Sequence, residues 1–305
     1  MKVMVIGGAG FIGSHLVDRL MGEGHEVTVI DDLSNGHLNN LGRFTLFVRH
    51  DVSDPAFNIL GYTPDAVYYL ACWPRSRSFD NPYRDVVVNT AALAKVAKQC
   101  SETGAHLIYA SNSGIYDSSS LPINEDTPDN PTTPYDVDKL ASENHLKVYY
   151  RFLGLRYTVF RFATVYGPRQ CSGDDWKPVV TEFCKRLLTG EAPIINGDGS
   201  QSRDLIYVSD IVDALTKALQ CKEALHKTMI LGTGVETTVN EIYEAAVEAT
   251  GVRVEPLHGE RAKGDIDRMQ YDCRYAQGTL GWVPKVGLKE GVFKTVKWMR
   301  KGGRD

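Results

Sequence analysis

The glycine turn Gly7-Gly8-Ala9-Gly10-Phe11-Ile12-Gly13 restricts the possible folds of this chain more than any other stretch. Lys2-Val3-Met4-Val5-Ile6, just before it, reads as a β-strand, and after it Ile12, Leu16, Val17 and Leu20 recur at helical spacing. A second apolar run, 26–30, ends in Asp31. Strand, glycine turn, helix, strand and acid in that order form the βαβ unit that binds a dinucleotide. Gly7 permits the tight turn, Gly10 lets the backbone approach a pyrophosphate, and Gly13 lets the helix pack closely on the strand. The free N–H groups and positive dipole at the helix start favour phosphate charge. Asp31 can accept from the ribose hydroxyls, and its charge repels a 2′-phosphate, which favours NAD over NADP.

Further strand-like segments lie at 44–48, 66–70, 106–110 and 157–162, with helical patterns over 84–103 and 135–153. Such alternation predicts an α/β fold with a Rossmann-type, doubly wound parallel sheet and helices on both faces. From residue 167 the texture changes. Gly167-Pro168-Arg169-Gln170 opens a loop, and the alternation becomes irregular. Helices are expected at 179–188, 209–220 and 239–250, and short strands at 193–195, 205–208 and 228–231. The predicted division is an NAD-binding domain, 1–166, and a mainly substrate-binding lobe, 167–305, with chain crossing back to the main sheet. The tail, 300–305, is charged and glycine-containing and is expected to fray.

A chain of 305 residues is long enough to bury a sizeable core. Its net charge of −4 gives no reason to expect nucleic acid as a partner. No apolar run approaches the roughly 20 residues that span a bilayer, so no membrane partner is expected. Cys72, Cys100, Cys171, Cys184, Cys221 and Cys273 are scattered without a Cys-x-x-Cys pair. They read as reduced thiols of a cytoplasmic protein rather than as a metal site or a disulfide framework.

Tyr135-Asp136-Val137-Asp138-Lys139 begins a helix just after Pro134. Positions i and i+4 share a helical face, so the Tyr135 hydroxyl and Lys139 ammonium can share a pocket. A free tyrosine is a poor base at neutral pH, and a neighbouring ammonium and a positive nicotinamide ring both favour its phenolate. Tyr135 could then take a proton from a substrate hydroxyl while the carbon beneath gives hydride to NAD.

Together these motifs resemble the nucleotide-sugar epimerase/dehydratase family of the extended short-chain dehydrogenase/reductase superfamily, over nearly the whole chain. Asp31-Asp32-Leu33-Ser34-Asn35-Gly36 resembles its ribose-binding turn, Asp51-Val52 its adenine contact, and Tyr69-Leu70-Ala71 its strand end beside the cofactor phosphates. The resemblance thus implies cofactor contacts at Gly7, Gly10, Phe11, Ile12, Gly13, Asp31, Asp32, Asn35, Asp51, Val52, Leu70, Ala71, Asn89, Tyr135 and Lys139. Arg161 to Gln170, the hairpin from Asn196 to Asp204, and Gly281-Trp282-Val283-Pro284 resemble further family segments. On the substrate side Thr164 replaces the family's usual Asn near the sugar and Asn196 falls where an aromatic often stacks on the base, departures that leave the sugar and nucleotide open. Arg203 is the candidate for the substrate diphosphate, with Arg268, in Gly264-Asp265-Ile266-Asp267-Arg268, as a second. A guanidinium matches phosphate oxygens as a fork. Arg75 and Arg77 lie in the loop after the fourth strand, with no assigned role. A homodimer through the helices near 84–103 and 135–153 is implied by the resemblance alone.

The departures narrow the chemistry. Where the family carries a catalytic Ser or Thr, four residues before Tyr116, this chain has Asn112, flanked by Ser111 and Ser113. An amide can donate to a substrate oxygen but cannot relay a proton; Ser111 or Ser113 could substitute. Dehydratases of the family carry Asp-Glu where Ser113 and Gly114 stand, and its decarboxylases a glutamate at Gly114. Without these carboxylates the sequence favours an NAD-dependent 4-epimerase of a nucleotide sugar, a UDP-hexose or UDP-hexuronic acid, working through a transient 4-keto sugar. A 4,6-dehydratase, decarboxylase or 4-ketoreductase, or a non-catalytic NAD-binding protein disabled at Asn112, stays open.

Overall fold

The computed structural model describes residues 1–172, 177–261 and 266–303. Its first half runs β1 (Lys2–Ile6), α1 (Phe11–Gly22), β2 (Glu26–Asp31), β3 (Leu46–Arg49), β4 (Ala66–Tyr69), α2 (Pro82–Val86), α3 (Ala92–Thr103), β5 (His106–Asn112), α4 (Pro134–Leu153) and β6 (Arg156–Phe162). The predicted helix over 84–103 is divided by a wide turn, Val87–Ala91, between α2 and α3. The second half runs β7 (Thr164–Tyr166), α5 (Val179–Thr189), β8 (Ile194–Asn196), β9 (Ser202–Tyr207), α6 (Val208–Gln220), β10 (Thr228–Leu231), β11 (Glu236–Thr238), α7 (Val239–Thr250), β12 (Leu257–Gly259), α8 (Arg274–Leu280) and α9 (Leu288–Arg300). Of the segments singled out in the sequence, Gly264, Asp265 and the last two residues of the tail lie outside the described residues.

Seven parallel strands form the main sheet in the order β10-β6-β5-β4-β1-β2-β3. Successive strand residues face opposite sides, and here both sides are buried, which is why the strands read as continuous apolar runs. Val3 and Val5 pack with Leu16 and Leu20 of α1 and Ile211 and Leu215 of α6 on one face. Met4 and Ile6 pack with Leu93 and Val96 of α3 and Leu146 of α4 on the other. A third cluster joins Phe183 and Leu187 of α5, Ile242 and Ala246 of α7, and Val292 and Val296 of α9. Beside it lie the small sheets β11-β9-β7 and β12-β8. Four strand ends (β1, β2, β4 and β5) and the starts of α1 and α4 meet along one edge of the main sheet, where the candidate site lies.

Candidate active site

Gly7 adopts φ +83, and a Cβ there would stand 2.5 Å from the Ala71 nitrogen. The N–H groups of Leu70 and Ala71 both donate to the Ile6 carbonyl, at 2.8 and 3.1 Å, which draws the end of β4 against the turn. Gly10 caps α1 without a side-chain acceptor, and no acid stands in the first turn. The N–H groups of Phe11, Ile12 and Gly13 therefore have no intrahelical partner and face an anion-binding position. Asp31 is buried, with its carboxylate accepting from the N–H groups of Ala9 and Leu33 at 2.9 and 2.8 Å. Burial nonetheless holds its pKa above the usual carboxylate value, against those two bonds. Asp32 accepts from the Ser34 N–H at 2.8 Å, and Asn35 is exposed beside it. This backbone cradle and buried acid fit a bound NAD.

Two of the expected cofactor residues have their side chains engaged by protein. Asp51 accepts from Arg84 at 2.6 Å and from the Ser53 hydroxyl at 2.6 Å, while Val52 beside it is buried. Asn89 is buried in the wide turn before α3, where its amide accepts from the Trp73 N–H at 2.9 Å and donates to the Trp73 carbonyl at 3.1 Å. Its amide clamps the loop after β4. Wide turns of this type recur at functional positions because they re-aim one side chain.

Helix α4 starts with a capping box. Thr133 accepts from the Asp136 N–H, and Asp136 reaches back to the Thr133 N–H. This sets Tyr135 on the first turn and Lys139 one turn on. The Lys139 Nζ lies 5.4 Å from the centre of the Tyr135 ring and donates to the Ala110 carbonyl at 2.8 Å. Burial pushes the Tyr135 phenol well above its ordinary pKa; Cys72, Tyr109 and Asp136 push the same way, and Arg75 pulls down. Burial likewise lowers the Lys139 pKa. In the protein alone, desolvation of the phenolate sets the direction at Tyr135, whereas the lowering expected from the sequence rests on the ammonium and a nicotinamide ring together.

Both flanking serine hydroxyls are engaged by protein. The Ser111 hydroxyl donates to Glu143 at 2.5 Å and the Ser113 hydroxyl to the Phe162 carbonyl at 2.6 Å, and both residues are buried. A hydroxyl has one hydrogen and two acceptor lone pairs, so each donates to protein here and retains only its acceptor capacity. Asn112 donates to Asp136 at 2.6 Å and accepts from the Gly114 N–H at 2.9 Å. Glu143 and Arg161 lie beneath as a buried pair, with bonds of 2.9 and 2.7 Å.

The substrate-side residues converge only in part. Thr164 on β7 and Arg203 on β9 belong to one small sheet, and Asn196 on β8 to the other. Arg203 Nη1 donates to the carbonyls of Ser202 and Ile266, both at 2.8 Å. Arg268 forms a two-bond pair with Glu236 on β11, at 2.9 and 2.5 Å, and its side chain is 64% exposed. Its fork is thus occupied by a carboxylate, the ordinary fate of a surface arginine. The sequence reading missed Asp136, which lies between Tyr135 and Lys139, and the buried Glu143–Arg161 pair. The Thr-x-x-Asp cap at Thr133 was the signal for Asp136.

Residues 3–232 match the model of the NAD dependent epimerase/dehydratase family. The chain belongs to that family. A UDP-glucose 4-epimerase of Mycolicibacterium smegmatis is 36% identical, with 98% of this chain and 99% of the relative aligned. A UDP-glucuronic acid decarboxylase of Danio rerio is 31% identical over 98% of this chain and 73% of its own length. Among solved structures, the Thermotoga maritima UDP-glucose 4-epimerase with UDP-glucose superposes with a TM-score of 0.92 at 35% identity, covering 99% of both chains. The fold and the NAD-binding edge are those of the family. No helix among the described residues is long and apolar enough to cross a membrane.

Proposed function

We propose that this protein is an NAD-dependent nucleotide-sugar 4-epimerase acting on a UDP-hexose or UDP-hexuronic acid. One observation carries the choice within the family: the loop beside Tyr135 and Lys139 has no carboxylate at Ser113 or Gly114. Eliminating water needs a further acid and base there, the family's decarboxylases carry a glutamate where Gly114 stands, and epimerisation needs neither. The relatives named above include both 4-epimerases and a decarboxylase, so the decarboxylase is the second reading, and the bare Gly114 weighs against it.

Bound NAD supplies reversible two-electron oxidation at the sugar carbon. Tyr135 takes the proton from the C4 hydroxyl and returns it after the keto sugar has presented its other face. Lys139, held by the Ala110 carbonyl, keeps its charge under the Tyr135 ring and beside the nicotinamide ribose. Asn112 donates to O4, and Arg203 is the candidate for the diphosphate. A homodimer through the helices flanking the site belongs to the same reading. The exposed Val137, Val148 and Phe152 along α4 and Tyr83 and Val86 on α2 support it. A cytoplasmic location is supported by six cysteines that are all free.

The test is incubation of purified protein with UDP-, GDP-, CDP- and dTDP-sugars without added cofactor, followed by proton NMR. A new anomeric signal of the C4 epimer establishes reaction and substrate together. Carbon dioxide release or net cofactor reduction would move the assignment to a sibling activity, and silence with NAD bound would indicate a non-catalytic protein.

A further inference from the structure

Asn112 and Gly114 are two of the places where this loop departs from patterns of the family, and the structure joins them in one arrangement. Asn112 Oδ1 accepts from the Gly114 N–H at 2.9 Å, while its Nδ2 donates to Asp136 Oδ1 at 2.6 Å. The first bond identifies the oxygen end of the amide. The second demands the same orientation, because an ionised carboxylate only accepts. A Cβ on residue 114 would stand 3.0 Å from Asn112 Nδ2, 3.3 Å from its Oδ1 and 3.4 Å from Asp136 Oδ1. Any side chain there presses on the amide–carboxylate pair itself, so glycine at 114 also makes room for asparagine at 112.

Asp136 is in turn held from several sides. It accepts from the Thr133 N–H at 3.1 Å, the Thr133 hydroxyl at 2.7 Å, the Thr132 hydroxyl at 3.4 Å and Arg75 Nη2 at 3.2 Å. It is 0% exposed, so its charge depends on Arg75 and on the positive end of α4. The carboxylate follows Tyr135 directly in the chain, which anchors the whole array on the turn that carries the phenol. Arg75 closes it from the loop after β4.

Resting on the 4-epimerase reading, we infer that Asp136 is a positioning residue that fixes the Asn112 amide as a hydrogen-bond donor to the sugar oxygen that Tyr135 deprotonates. One Nδ2 hydrogen is held by the carboxylate, and the other remains for the substrate. A serine or threonine at this place both donates and accepts, whereas an amide nitrogen only donates. Asn112 therefore stabilises O4 without receiving its proton, and Tyr135 alone takes it. The missing hydroxyl then marks a site built around a fixed donor and not a dead one.

A double-mutant cycle tests this. Asp136→Asn sets an amide NH2 against either Arg75 or Asn112, and is compared in the wild-type and Asn112→Ser backgrounds for kcat, KM and Tm. In the wild-type background kcat falls about tenfold, the scale of one charge-assisted hydrogen bond, with KM within about twofold. In the Asn112→Ser background the same change lowers kcat less than about twofold, since a serine does not depend on the carboxylate for orientation. Loss of the helix cap lowers Tm equally in both. Gly114→Ala gives the same background dependence and carries the test should Asp136→Asn not fold. Equal kcat losses in the two backgrounds overturn the inference while leaving the 4-epimerase reading intact. A wild-type protein that epimerises no sugar nucleotide overturns both.

Discussion

Along the cofactor edge the ligand-facing groups are mostly backbone: the turn at Gly7, the free N–H groups of α1, and a buried Asp31 held by two amides. On the proposed substrate side they are side chains on and beside the small sheets, and two of them already have protein partners. Arg203 reaches the Ser202 and Ile266 carbonyls, and Arg268 is paired with Glu236. Backbone geometry admits few alternatives, so the first region tolerates little substitution and says little about the substrate. Side-chain geometry can be rebuilt residue by residue, so relatives sharing one cofactor edge can differ in chemistry and sugar.

Substitutions on the two sides sharpen this contrast. Tyr135→Phe, at their junction, should lower kcat by about a thousandfold, within the range for loss of a general acid–base, while bound NAD measured after denaturation stays at the wild-type level. Retained turnover would remove Tyr135 from the chemistry. Gly7→Ala should cost about 2–4 kcal/mol, from a positive φ and an overlap with Ala71, and should empty the protein of NAD. An unchanged Tm would show that this edge is softer than the backbone argument holds.

Asp85 offers a pH test on the cofactor side. Burial, with Asp138 nearby, raises its pKa to about 6, and one carboxylate oxygen on each of Asp85 and Asp138 lacks a partner among the described residues. A carboxyl whose pKa is higher folded than unfolded stabilises most below its unfolded value, and stability is lost as pH rises through about 6. Asp85→Asn should therefore gain on the order of 2–3 kcal/mol at pH 7.5 relative to pH 4, read from urea unfolding at both values. A gain independent of pH would refute the ionisation argument.

On the substrate side the effects should be smaller. Arg203→Ala should raise KM for the sugar nucleotide about tenfold, the loss of one charged contact. Arg268→Ala should change stability by less than about 1 kcal/mol and leave KM within about twofold, as for an exposed pair. A large KM effect at Arg268 would mean that it leaves Glu236 to meet the diphosphate.

The parallel sheet and the first βαβ unit were legible because strands of four to seven residues and long helices carry enough periods to be seen. β7, β11 and β12 have three residues each. β8 is as short, but its Ile194-Ile195 pair stands out, whereas Thr164, Glu236-Thr237-Thr238 and His258 break the apolar pattern of the other three. The expected strand at 44–48 sits two residues later, at Leu46–Arg49, with Phe44 86% exposed outside it. An edge strand has only one neighbour to fix its ends. At the site, residue types pointed to Tyr135 and Lys139, but not to where the Ser111 and Ser113 hydroxyls turn. That depends on Glu143 and on Phe162, 32 and 49 positions away. The net charge balance at Tyr135 was also illegible, because burial is a property of the fold and not of a five-residue motif.

β10 comes from the second half of the chain and pairs with β6 along Val159 to Phe162. A protease cutting just after residue 166 would therefore not release a self-sufficient nucleotide-binding fragment. It would leave β6 with a bare row of amides and carbonyls at the rim of the sheet, a surface on which another such fragment can dock. Nicking should yield aggregates rather than a soluble half, and the intact chain should melt in a single transition.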